Sequence, residues 1–157
     1  MNGLRARDDN DSRGPTGPWR IQVGVDTVSV SDVSRSLHEF GHRYVERVFT
    51  PDEAAYCRAA AGRTSAARFA ARFAAKEATL KALQPDDPAA DWRTIEVRRH
   101  PSGRCDIVLH GALAALAARQ HIAHLALSMS HDADRAVAVV VAHAVTPHYE
   151  EARCHQI

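Results

Sequence analysis

The chain is poor in cysteine. Its 157 residues include three, Cys57, Cys105 and Cys154, and they form no Cys-x-x-Cys pair. An odd number of scattered cysteines argues against a disulfide framework and is typical of a protein of the reducing cytoplasm, where we expect this chain to act.

Net charge and long hydrophobic runs are also lacking. The formal charge is +1 at pH 7, whereas domains that bind nucleic acid usually carry a strong excess of Lys and Arg. No apolar run approaches the ~20 residues of a membrane span, and residues 1–18 lack the hydrophobic centre of a secretory signal. We expect one domain over 19–145, a flexible arm over 1–18 and a loose tail over 146–157, with neither nucleic acid nor membrane as partner.

The first half of the chain reads as a strand followed by helices. In residues 21–30, Ile21, Val23 and Val25 alternate with polar or small residues, as in a half-buried strand. Helical spacing then predicts one helix from about Ser31 to Val48. The next helix has a strong start at 50–53, with Thr as N-cap, Pro at the first helical position and Glu three residues after the cap.

The second half predicts two hairpins with a short helix between them. Residues 94–98 and 106–110 flank a turn that contains Gly103, and residues 124–131 and 136–145 flank a second turn. The whole order, strand, helices, strands, helix and strands, predicts an α+β fold in which a mostly antiparallel sheet packs with helices.

Between the halves lies RFAARFAAKEATLKAL, residues 68–83, which has the composition of a stable helix. Lys76 projects into its apolar stripe, and Glu77 lies on the border of that stripe. A cation in an apolar setting is costly unless something pairs with it. The position of Lys76 therefore indicates one of two arrangements. Either an anion binds its ammonium at an open edge of the helix, or the side chain snorkels so that its amine reaches water. The apolar stripe comprises Phe69, Phe73, Leu80 and Leu83.

Three groups of residues could carry chemistry. Asp26 ends the first strand, Ser128, Ser130 and His131 end a later strand, and the central helix carries a row of charges. Each has a plain structural explanation: a turn aspartate, a turn histidine, and surface pairs at i,i+4 spacing. Taken together, two carboxylates and several cations suit Mg²⁺, which keeps most of its waters, and the phosphates of a substrate. The charges on the helix are Arg72, Lys76, Glu77 and Lys81.

The motifs, in their order, resemble the holo-acyl-carrier-protein synthase family, the short 4′-phosphopantetheinyl transferases. The matching pieces are GVDTVSV, RVFTPDEAAYC, AARFAARFAAKEATLKAL, DWRTIEV with SGR, and LALSMSHDADRAVAVVV, from about residue 21 to residue 142. Each piece alone is weak, but their conjunction is specific. The resemblance implies the fold of this family.

The resemblance also implies a Mg²⁺-dependent transfer of phosphopantetheine from coenzyme A to a serine of an apo acyl carrier protein, with release of 3′,5′-ADP. By that resemblance Asp26 and Glu77 bind the metal, and Lys81 contacts the pyrophosphate. The serine proton would pass to Glu77 or to a metal-bound water, and both acceptors stay open. Coenzyme A contacts would come from Arg72, Lys76, Ser130 and His131.

The family resemblance specifies the reaction more closely than it specifies the carrier protein. Many family members have an arginine where this chain has Asp32, on the helix that meets the acidic carrier, so recognition is expected to shift to Arg35, Arg43 or Arg47. Carriers of fatty-acid, polyketide or peptide synthesis would all fit. The family also implies a homotrimer with active sites shared between subunits.

Two other functions are compatible with these residues. A Mg²⁺-dependent phosphohydrolase could use the same carboxylates on coenzyme A or a nucleotide without any carrier. A binding module could hold a carrier without modifying it, although a silent protein has no physical need for Asp26, Glu77 and Lys81 together. Dependence on a carrier serine separates the transferase from the hydrolase.

Overall fold

The order of helices and strands agrees with the predicted α+β class. The computed structural model describes residues 19–86 and 91–145, so the arm expected over 1–18 and the tail expected over 146–157 lie outside the described residues. A short 3-10 turn, Trp92–Thr94, precedes the second strand. The elements are β1 (Trp19–Ser29), α1 (Val30–Phe40), α2 (His42–Val48), α3 (Pro51–Arg58), α4 (Gly62–Leu83), β2 (Ile95–Arg99), β3 (Cys105–Leu109), α5 (Gly111–Arg119), β4 (Ile122–His131) and β5 (Arg135–Val145).

Both predicted hairpins are present. β4 and β5 join β1 in an antiparallel sheet of order β1-β5-β4, while β2 and β3 form a separate two-stranded sheet. β1 and β4 are therefore the edge strands of the larger sheet. Among the residues that the structure describes, no helix is both long and apolar enough to cross a membrane.

Helix α4 lies directly against the larger sheet because the facing side chains are small. A Cβ atom added to Gly24 would stand 1.9 Å from the Ala78 carbonyl oxygen and 2.7 Å from the Ala82 nitrogen. Only glycine permits so close an approach of two backbones. This contact fixes the middle of β1 beside the last turns of α4. The alanines buried at this layer are Ala74, Ala75, Ala78, Ala82, Ala138 and Ala142.

The alternating sequence of β1 predicted that the face with Ile21, Val23 and Val25 is buried. In the structure that face is exposed. Ile21, Val23 and Val25 are 52%, 59% and 53% exposed, because α4 covers the opposite face. Val137 and Val139 of β5 are exposed on the same side, where they lie in register with Thr27 and Val25. The larger sheet thus carries an open apolar face, which we call the outer face.

The single helix predicted from about Ser31 to Val48 is two helices, α1 and α2, in the structure. α1 ends at Phe40, and Gly41 adopts a positive φ of 54° with its N–H donating to the Leu37 carbonyl. The chain turns at this residue, and Phe40, the last residue of α1, is 53% exposed. The start of α3 is as predicted, with a reciprocal capping box between Thr50 and Glu53.

Candidate active site

Two carboxylates and a lysine meet where β1 lies against the end of α4. Lys81 donates from Nζ to Asp26 Oδ1 at 2.9 Å and to the Val25 carbonyl at 3.1 Å. Glu77 lies one turn before Lys81 on α4. Burial and then the negative charge of Asp26 raise the pKa of Glu77, while the charge of Lys81 opposes them. The structure therefore brings together Asp26, Glu77 and Lys81, from two elements joined at Gly24.

The donor set of this site fits Mg²⁺ better than a transition metal. Within 19–86 and 91–145, no group of three or more His, Cys, Asp or Glu side chains could hold a metal ion. Zn²⁺ takes three or four protein ligands, whereas Mg²⁺ is bound by one or two carboxylates, its own waters and substrate phosphates. A cation bound by both carboxylates would relieve the mutual repulsion of Asp26 and Glu77.

Lys76 does not belong to this site. Its side chain is fully buried, and its ammonium pairs with Glu53 Oε2 at 2.8 Å. The ammonium also donates to the backbone carbonyls of Trp92, at 3.0 Å, and of Ile95. Because an ammonium has three donors, none is left for a ligand. The prediction that Lys76 contacts a coenzyme A phosphate is therefore wrong, and so is the alternative that its amine reaches water.

Glu53 serves several elements at once. Its Oε2 accepts the Thr50 N–H at 2.9 Å, which completes the cap of α3, and its Oε1 accepts the Val97 N–H of β2 at 2.9 Å. Through Lys76 it also holds α4. Burial lowers the pKa of Lys76, and the charge and hydrogen bond of Glu53 act against that effect. The pair is a structural tie between α3, α4 and β2.

A second cluster, which we call the arginine pocket, opens beside the β4 edge. The cavity has a volume of about 330 Å³. Arg72 is 2% exposed, stacks over the Tyr56 ring at 4.3 Å and has a buried Nε with no hydrogen-bond partner among the described residues. Ser130 and His131 line the same cavity, so three of the four residues predicted to contact coenzyme A come together here.

The arginine pocket also contains residues that sequence reasoning missed. Arg68 and Arg99 stack over the same Tyr56 ring at 4.6 and 5.3 Å, and Arg104 lines the cavity. The spacing of four between Arg68 and Arg72 could have indicated the first of them, since i and i+4 share a helix face. Arg99 and Arg104 flank the β2–β3 turn, and their convergence with α4 depends on tertiary packing.

The residues predicted for carrier recognition are exposed on α1 and α2. Arg35 pairs with Asp32 at 2.7 Å, and both side chains are well exposed, at 72% and 60%. Arg43 and Arg47 lie exposed on α2. The Asp32 carboxylate thus neutralises Arg35, one of the arginines expected to take over carrier recognition from position 32.

A family model for the 4′-phosphopantetheinyl transferase superfamily matches residues 22–140, which span the predicted sites from Asp26 to His131. The chain belongs to this superfamily. It is 41% identical over 122 residues to the holo-[acyl-carrier-protein] synthase of Desulforudis audaxviator, covering 78% of this chain and 92% of the relative. It is 42% identical over 128 residues to the synthase of Paramagnetospirillum magneticum, covering 79% and 96%.

The solved structures extend the likeness to the fold. The coenzyme A complex of the synthase from Chronobacterium ammoniagenes superposes with a TM-score of 0.71 at 32% identity, covering 81% of this chain and 99% of that one. The predicted α+β transferase-like fold and the predicted family are thereby confirmed.

Proposed function

We propose that this chain transfers the 4′-phosphopantetheine group of coenzyme A to a serine of an apo acyl carrier protein and releases 3′,5′-ADP. The observation that carries the proposal is the meeting of Asp26, Glu77 and Lys81 at the contact between β1 and α4. The names of the curated relatives and the coenzyme A complex among the similar structures support the same reaction. Cys57 and Cys105 are free thiols, consistent with the cytoplasmic location that we propose.

The chain's own residues supply most of the chemistry. Asp26 and Glu77 would hold Mg²⁺, which when bound neutralises charge on the pyrophosphate oxygens. The Lys81 ammonium would stabilise the charge that develops on the departing 3′,5′-ADP. The carrier hydroxyl must lose its proton as it attacks phosphorus, and the Glu77 carboxylate is an acceptor that this chain offers. Arg72, with its unpartnered Nε, suits a further phosphate of coenzyme A.

The first test is intact mass spectrometry of an apo acyl carrier protein incubated with this protein, coenzyme A and Mg²⁺. A gain of one phosphopantetheine is expected, and it should be absent without metal and with Glu77→Gln, which keeps the shape of the side chain. Release of 3′,5′-ADP without a carrier would favour the phosphohydrolase instead. Unchanged carrier and coenzyme A, with a stable complex on gel filtration, would favour the binding module.

We further propose that the active protein is a homotrimer with shared sites. The carboxylates lie at the β1 edge of the sheet and the arginine pocket at the β4 edge, roughly 10 Å apart by strand spacing. Arg72 and Lys81 are nine residues apart, so they point to opposite sides of α4. A single chain therefore presents the two clusters on different sides, and another copy packed on the outer face would join them.

Mixing two inactive variants tests the shared site. Glu77→Gln removes the carboxylate side and Arg72→Met removes the pocket side, so random exchange of subunits should leave about a quarter of the sites with neither defect. We expect activity to return when the two proteins are mixed under conditions of subunit exchange. If no activity returns, although light scattering shows mixed trimers, each site is built within one chain.

A further inference from the structure

Lys81 lies where a metal-bound Asp26 would need space. Its ammonium is 2.9 Å from Asp26 Oδ1 and is held on the other side by the Val25 carbonyl. Mg²⁺ requires its carboxylate oxygens at about 2.0–2.1 Å and a full octahedron of ligands. An ammonium and a divalent cation that share one carboxylate repel each other. The contact between Lys81 and Asp26 is therefore one that a metal ion must disturb.

Displacement of Lys81 needs little rearrangement. Its side chain is 53% exposed, while that of Asp26 is 16% exposed, so the lysine is the mobile partner of the pair. The four-carbon stem of a lysine is flexible, and its compact ammonium is readily hydrated. Lys76 on the same helix is the opposite case, because it is fully buried and its three donors are taken up by Glu53, Trp92 and Ile95.

We propose that Lys81 is an exchange group: it neutralises Asp26 in the metal-free protein, is displaced when Mg²⁺ binds, and then becomes the ligand for the pyrophosphate of coenzyme A. This inference rests on the proposed function and adds to it the order in which Mg²⁺ and coenzyme A bind. Metal binding releases a cation that the second substrate needs, so the two ligands favour each other. The same lysine also keeps the empty site from holding two uncompensated carboxylates.

Metal affinity measured without any reaction tests the exchange. Mg²⁺ is titrated calorimetrically into the metal-free wild type, Lys81→Met and Lys81→Arg, with no coenzyme A present. If Lys81 competes for Asp26, Lys81→Met should bind Mg²⁺ about five-fold or more tightly, a coupling of ordinary size. Lys81→Arg, which keeps the charge, should stay close to wild type. Unchanged circular dichroism and unfolding midpoints would confirm that each variant is folded.

Coenzyme A affinity, with and without Mg²⁺, gives the second measurement. In the wild type Mg²⁺ should strengthen coenzyme A binding, and in Lys81→Met this gain should shrink several-fold, because no displaced ammonium is available. Equal or weaker Mg²⁺ binding by Lys81→Met would overturn the exchange while leaving the metal site in place. Absence of Mg²⁺ binding in the wild type would overturn the metal site itself, and the exchange with it.

Discussion

Three ion pairs of nearly equal length lie in very different surroundings. The nitrogen–oxygen distance is 2.8 Å for Lys76–Glu53, 2.9 Å for Lys81–Asp26 and 2.7 Å for Arg35–Asp32. The exposed fractions of the two side chains rise from 0% and 1% in the first pair to 53% and 16% in the second and 72% and 60% in the third. Distance alone would rank the last pair as the strongest, whereas the cost of removing one partner is expected to be largest for the buried pair and smallest for the exposed one.

The surroundings also separate the roles of the pairs. The buried pair holds helices and a strand together and has no donor to spare. The half-exposed pair lies at the candidate metal site, where an exchangeable cation is useful. The most exposed pair lies on the surface proposed to meet the carrier. Substitutions at these pairs and at the contact between β1 and α4 should therefore differ widely in their effects, and the buried pair should show the largest.

Lys76→Met should cause the largest loss of stability. It leaves the Glu53 carboxylate buried without its cation, and breaking a buried pair costs about 3–5 kcal/mol. Urea denaturation should show this drop in the free energy of unfolding. Lys81→Met is the matched control from the same helix, and it should lose much less stability because its side chain is 53% exposed.

The double variant Glu53→Gln/Lys76→Met isolates the cause. It removes both charges and leaves one amide oxygen, which can accept either the Thr50 N–H or the Val97 N–H, whereas the two carboxylate oxygens of Glu53 accept both. Much of the lost stability should return, because a buried pair replaced as a whole is often tolerated. A double variant as unstable as Lys76→Met would mean that lost packing or the lost backbone hydrogen bond, and not the uncompensated charge, accounts for the effect.

Gly24→Ala should come next. The added methyl group would stand 1.9 Å from the Ala78 carbonyl oxygen and 2.7 Å from the Ala82 nitrogen, and both of those atoms belong to packed backbone. We expect a loss of about 3 kcal/mol, at the upper end of the usual cost of overpacking. Ser34→Ala, at an exposed position of α1, is the control and should cost no more than about 0.5 kcal/mol. Equal losses for the two variants would show that α4 is not held closely against β1.

The parts of the fold that the sequence predicts are those encoded over a few residues. The capping box at Thr50 and Glu53 and the turn at Gly103 are local, and both are present. The partner of Lys76 is 23 residues away in the chain, so no local pattern could identify it. The motif alone therefore suggested a ligand for Lys76 where the structure has a carboxylate.

Alternation in β1 defines two faces but does not say which one is covered. The alternation of Ile21, Val23 and Val25 suggested that their face is buried. In the structure α4 packs on the opposite face, which contains Gly24. A glycine inside a strand signals close approach of another backbone, and that signal could have indicated the covered face. The family resemblance grouped Asp26, Glu77 and Lys81, which lie together in the structure, whereas the arginine pocket depends on how the β2–β3 hairpin packs.

A third prediction concerns the titration of Glu77 in the metal-free protein. Burial and the charge of Asp26 raise its pKa, and Lys81 counteracts them. Carbon NMR of the side-chain carboxyl should therefore show a pKa above the ordinary value in the wild type, a higher one in Lys81→Met and a lower one in Asp26→Asn. A pKa that does not respond to Lys81→Met would show that the ammonium does not act on Glu77.

The sign of the stability effect follows from the same shift. A carboxyl whose pKa is raised in the folded state binds its proton more tightly there than in the unfolded chain. Its contribution to stability is fully present below the unfolded pKa and is lost as pH rises through the folded pKa. The difference in unfolding free energy between wild type and Glu77→Gln should follow this course in the absence of metal, and it should change when Mg²⁺ is added.

The smallest effect is expected at the exposed pair. Asp32→Asn should change the free energy of unfolding by no more than about 0.5 kcal/mol, because exposed pairs contribute little. It frees the Arg35 guanidinium, so the KM for an acidic carrier should fall a few-fold at low salt, and the gain should vanish at high salt through screening. Asp32→Asn/Arg35→Gln is the matched control and should show no gain. If the double variant gains as much, removal of the negative charge of Asp32 is sufficient, and recognition lies with Arg43 or Arg47 instead.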